Sequence, residues 1–333
     1  MRSETSALGA KKIITWVKPT GEMPHLGNLL GAILPFKKIS EQPGIDASLF
    51  IADLHAITSV KNAKTLQENT RNLALTYFTI FWLDTPVKIF RQSDIVLIPK
   101  LNWILNNVTP YSLMLRAHSF KDSQVKNMDL NMWVFNYPIL MAADIVGYDI
   151  DIVPVGADQK QHLEMTRDIA KYFNKTYGEE IFKIPKEHIE KWVEILPGID
   201  GRKMSKSYNN FIGIFDDSKI LKKKIMSIST DSKTVEDIKD PETCNVFSLI
   251  KIFWDKKKTE EIRAKYLAWN YWYWHAKLEL FEILDKYLWE FRTRRDELSK
   301  NYDLIEKKLQ DWAIVMNARI EEKMKEVKRV VGV

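Results

Sequence analysis

The sequence predicts an α/β fold: a parallel sheet covered by helices on both faces, with a helical insertion and an all-α C-terminal region. Three observations predict this class. Short apolar runs alternate with stretches of helical periodicity over about the first 200 residues. A mainly helical stretch separates two of these runs, and no convincing strand follows residue 207. With 333 residues, 45% of them hydrophobic, the chain is long enough for two domains and too apolar to be disordered.

The predicted sheet has four strands. The first run ends at Lys-Pro-Thr-Gly, where Pro and Gly mark the end of a strand, and a helix follows Asn28. Strands that alternate with helices at this spacing favour parallel pairing, since parallel neighbours need a long crossover. The predicted strands lie at 13–17, 48–52, 87–90 and 150–155, with further helices at 63–82 and from 158 onward.

The C-terminal part is predicted to be helical throughout, with helices at 217–227, 245–254, 259–294 and 304–329. We therefore predict an α/β domain at 1–207, with its insertion at about 101–148, and a helical domain at 208–333. The aromatic run W-N-Y-W-Y-W-H at 269–275 is predicted to pack in a helical core or between helices, with base stacking as the alternative.

The composition excludes several classes of protein. The one cysteine, Cys244, rules out a disulfide scaffold and a multi-cysteine metal site, and it fits a reducing compartment. No run of about 18 apolar residues is present, so no membrane span is expected. The first ten residues are polar and carry both charge signs, unlike a signal or transit peptide. A cytoplasmic protein is the expectation.

The net charge is uneven along the chain. There are 50 basic and 44 acidic residues, a net charge of +6. Residues 1–200 contain 22 of each, so the whole excess lies in 201–333, which hold 28 basic and 22 acidic residues. Three of the six charges are Arg202, Lys203 and Lys206 of one loop. The charge alone is compatible with a solvated helical surface and with a polyanionic partner such as nucleic acid.

The loop K-P-T-G-E-M-P-H-L-G-N at 18–28 lies between a predicted strand and a helix. This places it at the carboxyl edge of the sheet, where ligands bind in doubly wound folds. Gly27 lets a ligand approach the helix N-terminus, whose free N–H groups favour phosphate, and His25 and Asn28 can donate to an anion. The alternative is ordinary helix capping.

A second loop, G-R-K-M-S-K-S at 201–207, lies at the end of the predicted α/β domain. Lys203 and Lys206 lie three residues apart among serines and form a cationic arm. Lysine is a point charge that suits a triphosphate whose charge shifts during a reaction. The alternative is a solvated basic linker.

A third pattern lies on the helix around residue 140. Tyr137, Met141 and Asp144 fall at i, i+4 and i+7, on one face of the helix. A carboxylate on an otherwise apolar face can accept a hydrogen bond from a heteroatom N–H. The alternative is an aspartate paired with a neighbouring cation and a methionine that packs in the core.

Together these strings resemble a known family. H-L-G-N and K-M-S-K-S resemble the HIGH and KMSKS signatures of class I aminoacyl-tRNA synthetases. Y-P-I-L-M-A-A-D at 137–144 and D-I-V-P-V-G-A-D-Q at 151–159 resemble the bacterial-type tryptophanyl-tRNA synthetases. The resemblance implies a Rossmann-like catalytic domain and a helical anticodon-binding domain at 208–333. It implies activation of L-tryptophan by ATP, with Mg²⁺ carried on the ATP, then transfer of tryptophan to tRNA(Trp), by a homodimer.

The resemblance also implies roles for particular residues, and none of them is a metal ligand. In the family the aspartate of the pocket accepts the indole N–H, the methionine packs on the ring, and the tyrosine and glutamine hold the α-amino group. The implied catalytic residues are Lys203, Lys206, His25 and Asn28. The implied ATP-binding residues are Lys18, Gly27, Lys121, Gly156, Asp158, Met204 and Ser205. The implied tryptophan-binding residues are Tyr137, Met141, Asp144, Val153, Val155, Gln159 and His55.

The chain departs from the family pattern at three positions and in the length of one loop. Lys18 stands where many members have glutamine, and Trp16 stands where glycine is usual. The loop before His25 is one residue longer than usual. Ser123 replaces a second lysine that contacts nucleotide phosphates, with Lys126 nearby. These departures concern phosphate binding more than the amino acid pocket.

Three alternatives compete with this assignment. A tyrosine-specific relative is disfavoured by D-I-V-P-V-G-A-D-Q-K-Q-H at 151–162. A nucleotidyltransferase that is not a synthetase is disfavoured by K-M-S-K-S and the basic helical domain. A non-catalytic paralogue that binds RNA stays open because of Ser123 and the longer loop.

Overall fold

The sheet of this protein is parallel and five-stranded. The structure, a computed structural model, describes residues 10–21, 23–117, 120, 131–154, 160–188, 196–268 and 270–333. Across the sheet the strands follow the order β3-β2-β1-β4-β5, and all neighbours pair in parallel. They are β1 (Lys11–Val17), β2 (Ile45–Ile51), β3 (Lys88–Arg91), β4 (Ile152–Pro154) and β5 (Lys186–His188). The predicted α/β class is confirmed.

The described helices range from single turns to 30 residues. A π-helical turn, Leu29–Ile33, joins α1 to α2, and short 3₁₀ turns lie at Gln92–Asp94 and Lys206–Tyr208. In chain order the helices are α1 (Leu26–Asn28), α2 (Leu34–Ser40), α3 (Asp53–Ala56), α4 (Ala63–Phe81), α5 (Ile98–Asn106), α6 (Tyr111–Met114), α7 (Met132–Val146), α8 (Lys160–Tyr177), α9 (Ser218–Met226), α10 (Asn245–Phe253), α11 (Lys256–Leu267), α12 (Tyr273–Lys300) and α13 (Tyr302–Val331).

Two strands form the centre of the sheet. β1 and β2 pair over seven residues, from Lys11 opposite Ile45 to Val17 opposite Ile51. Phe50 of β2 stacks between Trp16 and Phe90, with ring centroids 5.9 Å apart in each pair. Trp16, where the family usually has glycine, therefore packs against the hydrophobic core.

The chain changes direction across the sheet at β1. From β1 it runs to β2 and β3 on one side, and later to β4 and β5 on the other. In open parallel sheets, ligands bind outside the carboxyl ends of the strands at such a switch point. Lys18 directly follows β1, and Asp53 and Gln92 lie just beyond β2 and β3. The sheet therefore brings polar residues to one edge.

Residues 1–22, 36–191 and 301–333 form one compact unit around the sheet. Its core contains Ile14 and Phe50 from the strands and Met316 and Ile320 from α13, all at most 1% exposed. Asp46 of β2 binds Lys88 of β3 and Arg319 of α13, at 2.6 and 2.8 Å. The C-terminal helix is therefore part of the sheet unit.

Residues 23–35 and 192–300 form a second compact unit. Its described core is helical, with Leu221 of α9, Phe247 of α10 and Leu284 of α12 fully buried. Asp285 of α12 accepts hydrogen bonds from Ser218 Oγ of α9 and from an arginine seven residues further along α12, both at 2.6 Å.

The two units do not coincide with the predicted domains 1–207 and 208–333. Residues 23–35 belong to the second unit although they precede residue 208, and residues 301–333 belong to the sheet unit although they follow it. All described strands nevertheless precede residue 208, and helices follow it. The assignment of 208–333 as an anticodon-binding domain stays a prediction. Within the described residues, no helix is long and apolar enough to cross a membrane.

Two expectations about individual elements were wrong. The single helix at 259–294 is two helices, because the chain becomes extended at Ala268, directly after Leu267, and Asn270 has a left-handed backbone (φ 65°) before the next helix begins at Tyr273. Tyr271 of the intervening aromatic run is buried, while Trp272 is 51% exposed, so only part of that run packs in a core. The short strand β5 was not predicted, because its polar sequence Lys-Glu-His lacks an apolar run.

Candidate active site

Asp144 lies at the centre of a buried polar cluster in the sheet unit. It belongs to α7, and its side chain is almost wholly withdrawn from water. Asn131 caps the start of α7, where its Oδ1 accepts from the N–H groups of Trp133 (3.0 Å) and Val134 (3.3 Å). Asn131 therefore fixes where α7 begins, and Asp144 near the end of the helix meets side chains that follow β2 and β3.

Two side chains meet one oxygen of this carboxylate. Gln92 Nε2 donates to Asp144 Oδ2 at 2.7 Å, and His55 Nε2 lies 3.1 Å from the same oxygen. His55 belongs to α3, directly after β2, and Gln92 follows β3. Two neighbouring strands thus supply the groups that orient the carboxylate. His55 was predicted to bind substrate, and here it contacts the predicted indole acceptor.

Burial dominates the ionisation of the acidic groups in this cluster. Loss of hydration raises the pKa of Asp144, and the hydrogen bonds from His55 and Gln92 oppose this rise. Burial likewise raises the pKa of Asp53, against hydrogen bonds from Ser93 and the Leu54 N–H. Burial therefore dominates, and the donors around Asp144 only partly restore its ionised form, in which both oxygens accept hydrogen bonds.

The predicted face of α7 is formed. Tyr137 is half-buried, and its ring meets those of His55 and His162 edge to face, with centroids 5.9 and 5.2 Å away. Its hydroxyl is hydrogen-bonded to His162 Nε2 of α8. Met141 is 3% exposed and belongs to the hydrophobic core. Tyr137, His55 and Asp144 therefore form one cluster, with Met141 packed beside it.

The other predicted site residues differ in burial, and several of them lie outside the described residues. Val153 is fully buried in β4 and belongs to the hydrophobic core of the sheet unit. Lys18 lies exposed beyond the end of β1. The predicted residues Lys121, Val155, Gly156, Asp158 and Gln159, together with Ser123 and Lys126, lie outside the described residues.

In the second unit, the H-L-G-N loop forms a helix cap. His25 is the N-cap of α1: its Nδ1 accepts from the Asn28 N–H, and its own N–H donates to Asn28 Oδ1 at 3.1 Å. A Cβ on Gly27 would lie 3.0 Å from the His25 ring, closer than most real contacts. His25 and Asn28 therefore cap α1, with the oxygen of the Asn28 amide as the acceptor, and their predicted contact with phosphate stays a prediction.

The K-M-S-K-S loop is held by Asn210, which is 1% exposed. Asn210 Oδ1 accepts from the Ser205 N–H at 2.7 Å, and Nδ2 donates to Asp200 Oδ1 (2.6 Å) and the Lys203 carbonyl (3.1 Å). Met204 is buried, and its N–H donates to the Leu196 carbonyl at 2.8 Å. The backbone of the loop is therefore fixed at several points.

The lysines of this loop differ in exposure. Lys203 is exposed and Lys206 is partly buried at the start of the 3₁₀ turn that Ser205 caps. Arg202 is bound to Asp200 and lies 4.4 Å over the Tyr208 ring, so it is engaged within the loop. The charge of Arg202 is therefore paired with Asp200 inside the loop.

Both signature motifs belong to the same compact unit. The Leu26 N–H donates to the Ile212 carbonyl at 2.9 Å, and His25 forms an isolated β-bridge with Gly213. A Cβ on Gly27 would lie 3.7 Å from Met204 Cβ. Motifs about 175 residues apart in the sequence are therefore neighbours in space, as the motif-based prediction requires.

Three residues of these clusters were not predicted from the sequence: Gln92, His162 and Asn210. Gln92 follows a strand at the carboxyl edge of the sheet, and that position is the signal that points to it. His162 stands at the end of the 151–162 string, and the family resemblance implies no role for it. Asn210 has no local signal, because its contacts depend on how the loop folds back.

Known proteins match the chain over nearly its whole length. The profile of the family described as tRNA synthetases class I (W and Y) matches residues 9–288. A tryptophan–tRNA ligase from Fusobacterium nucleatum is 43% identical over 322 residues, covering 97% of this chain and 98% of that protein. A tryptophan–tRNA ligase from Campylobacter jejuni is 38% identical over 329 residues, covering 96% and 99%.

A solved structure agrees with the sequence matches. The crystal structure of tryptophanyl-tRNA synthetase from Campylobacter jejuni, complexed with ADP and tryptophan, has a TM-score of 0.90 to this chain at 37% identity. It covers 97% of this chain and 100% of the solved one. The fold, the two signature motifs and the near full-length matches agree: the chain belongs to the class I aminoacyl-tRNA synthetases, in the family of tryptophan–tRNA ligases.

Proposed function

We propose that this chain activates L-tryptophan with ATP and transfers it to tRNA(Trp), using Asp144 to recognise the indole ring. The observation that supports this most directly is the buried Asp144 carboxylate, whose Oδ2 is met by His55 and Gln92 beside Tyr137. Tryptophan has a large apolar ring with one N–H donor. A phenylalanine side chain would leave a buried carboxylate without its partner, so the pocket would reject it.

The reaction proceeds in two steps. A carboxylate oxygen of tryptophan attacks the α-phosphorus of ATP, forming the new P–O bond as the bond to the β-phosphate bridge breaks and pyrophosphate leaves. The 3′-terminal ribose hydroxyl of the tRNA then attacks the activated carbonyl, giving the ester, AMP and a proton. Neither step needs an enzyme nucleophile. Catalysis is positioning and charge stabilisation.

The proposed roles fall into two groups. For tryptophan, Tyr137 and Gln159 hold the α-amino group, and Val153, Val155 and Met141 line the ring. For ATP, Lys203 and Lys206 stabilise the phosphates, with His25, Asn28 and Gly27 at the helix start and Met204 and Ser205 in the loop. Lys18, Lys121, Gly156 and Asp158 are the further nucleotide contacts that we propose.

Mg²⁺ enters this proposal with ATP, held mainly by phosphate oxygens, as is usual for this ion. Within the described ranges there is no group of three or more His, Cys, Asp or Glu side chains that could bind a metal ion. The residues that we propose for phosphate binding, Lys203 and Lys206, are instead cationic. Together with the ion they would neutralise the negative charge of the phosphates.

Further proposals concern the whole enzyme, which we place in the cytoplasm as a homodimer that binds tRNA through its helical C-terminal region. Lys222, Lys223, Lys256 and Lys257 are exposed candidates for phosphate contact. Lys224 is less suited, because it binds Asp216 at 2.7 Å. Size-exclusion chromatography with light scattering tests the dimer, which requires twice the chain mass of 39.0 kDa.

The test of the function is ATP–pyrophosphate exchange run with each of the twenty amino acids. We expect exchange with tryptophan and at most trace exchange with tyrosine or phenylalanine. Exchange with tyrosine alone would contradict the specificity. A thermal-shift series with ATP, tryptophan and tRNA separates the non-catalytic alternative, because an RNA-binding paralogue would be stabilised by tRNA and not by tryptophan.

A further inference from the structure

Gln92 is a buried polar residue that none of the signature motifs contains. It is 1% exposed and opens the 3₁₀ turn Gln92–Asp94 at the end of β3. The residues on either side of it are anchored. Arg91 binds Asp94 at 2.7 Å and pairs with Glu306 through two hydrogen bonds, at 2.6 and 3.1 Å. The end of β3 is therefore a fixed base for the Gln92 side chain.

The turn after Gln92 is held from the other side by Asp53 of α3. Asp53 Oδ1 accepts from the Ser93 N–H at 3.0 Å and from the Leu54 N–H at 2.9 Å, and its Oδ2 accepts from Ser93 Oγ. Because Ser93 is locked, the adjacent Gln92 backbone has little freedom. The side-chain amide of Gln92 is therefore held in a fixed position beside His55 and Asp144.

The orientation of the Gln92 amide follows from its two contacts. Its Oε1 accepts from the His55 N–H at 3.3 Å, a donor that cannot be reversed. The amide nitrogen must therefore face the opposite way, toward Asp144 Oδ2 at 2.7 Å. The contact with the main chain of α3 fixes Gln92 as a donor to the carboxylate.

Both contacts to the carboxylate fall on the same oxygen. Gln92 Nε2 and His55 Nε2 meet Oδ2, and in the described part of the chain no hydrogen bond reaches Asp144 Oδ1. Burial disfavours the charge on Asp144, and its two neighbouring donors counteract this. In the ionised form Oδ1 can only accept, whereas a proton on Oδ1 would present a hydroxyl donor to an incoming N–H and weaken that oxygen as an acceptor.

We propose that Gln92 is a specificity-positioning residue: its amide occupies Asp144 Oδ2 and keeps the carboxylate an acceptor whose Oδ1 takes the ring N–H of an aromatic amino acid. The inference rests on the proposed indole contact of Asp144. It assigns discrimination for a ring N–H to two residues: Asp144, which contacts the substrate, and Gln92, which does not.

The experiment measures discrimination for the ring N–H. It compares kcat/KM in pyrophosphate exchange for tryptophan and for β-(3-benzothienyl)alanine, in which sulfur replaces the ring N–H. Gln92→Met keeps the length of the side chain and removes the donor. We expect Gln92→Met to lower the ratio of kcat/KM for tryptophan to kcat/KM for the analogue about 10-fold to 100-fold, mainly by raising the KM for tryptophan. The kcat and KM for the analogue should change less than about 3-fold. Gln42→Glu, at an exposed turn residue, is the control and should leave the ratio unchanged.

A second variant gives a readout that a structural role would not produce. In Gln92→Glu the introduced carboxyl and Asp144 share one proton, and the introduced group, when it holds that proton, donates as the amide did. Discrimination should be near that of the wild type at pH 6 and fall as pH rises and the shared proton is lost. His55 and Asp53 of α3 and Tyr148, with Arg319 beyond it, face this pair, so the wild type is measured over the same range as the baseline.

Asp144→Asn tests the indole contact of Asp144 separately from the role of Gln92. If it leaves the ratio unchanged, the indole contact itself is wrong and the role of Gln92 falls with it. If Asp144→Asn abolishes discrimination while Gln92→Met keeps the wild-type ratio, the role of Gln92 is overturned and the indole contact stands. Should Gln92→Met fail to fold by thermal melting, Gln92→Glu decides, and a pH profile parallel to that of the wild type overturns the proposal.

Discussion

At the residue scale, the chemistry of recognition depends on a few polar groups held in apolar surroundings. Asp144 is 2% exposed, and the side chains that meet it come from the ends of β2 and β3. Such a carboxylate is costly to bury unless donors surround it. The same cost makes it selective, because a ligand without a ring N–H leaves its acceptor unpaired.

Tyr137→Phe removes the hydroxyl that is hydrogen-bonded to His162 and that we propose holds the α-ammonium group of the substrate. A hydrogen bond to a charged group contributes about 1.5–3 kcal/mol. We therefore expect the KM for tryptophan to rise about 10-fold to 100-fold in pyrophosphate exchange, with kcat changed less. An unchanged KM would exclude the hydroxyl from substrate binding.

Lys206→Ala tests the role of the K-M-S-K-S loop in adenylate formation. The loop backbone is fixed through Asn210 and Met204, so the substitution should leave the fold intact. Loss of one preorganised charge at the transition state typically lowers kcat about 10²-fold to 10³-fold. Single-turnover adenylate formation measures this, with Lys219→Ala, an exposed lysine of α9, as the control. A wild-type rate would remove Lys206 from the mechanism.

At the scale of elements, α13 is a structural part of the sheet unit. Ile320 is fully buried in its core, whereas Ile314 of the same helix is 69% exposed. We expect Ile320→Ala to lower the free energy of unfolding by about 2–5 kcal/mol. Ile314→Ala, its matched control, should change it by less than about 0.5 kcal/mol. Urea denaturation checks both, and equal effects would contradict the packing of α13.

The contact of β2 with β3 and α13 predicts a pH dependence. Burial raises the pKa of Asp46, but hydrogen bonds from Lys88 and Arg319 outweigh it, so the pKa lies below its usual value of about 3.9. The stabilisation is therefore complete above about pH 4 and is lost as pH falls through the lower folded-state pKa. Asp46→Asn should lower stability by about 1–3 kcal/mol at pH 7. Thermal melting should show that difference unchanged at pH 5 and shrinking below pH 4; a difference that persists undiminished at pH 3 would contradict the ion pairs.

Elements were predictable where a local pattern determines them. Short apolar runs placed β1 to β4 within a few residues, and i, i+4, i+7 spacing placed Tyr137 and Asp144 on one face. Gln92 was not predictable in the same way, because a single polar residue after a strand has no partner at a regular spacing. The break between Leu267 and Tyr273 was not predictable either, because no proline or glycine marks it: the chain becomes extended at Ala268 and left-handed at Asn270.

At the scale of the whole molecule, the chain passes between its two compact units more than once. Residues 23–35, which carry the H-L-G-N motif, belong with 192–300, and 301–333 return to the sheet. The N-terminal 200 residues are electrically balanced, and half of the C-terminal excess of six charges lies on Arg202, Lys203 and Lys206. Net charge is therefore a weaker argument for tRNA binding than the motifs, which carry the assignment.

The most direct test of the central claim is a crystal structure of this chain with tryptophan bound. We predict that the indole nitrogen lies about 2.7–3.2 Å from Asp144 Oδ1, with the Gln92 amide still on Oδ2. The α-amino group should lie beside Tyr137. An indole nitrogen more than about 4 Å from the Asp144 carboxylate, or an α-amino group in its place, would contradict the account.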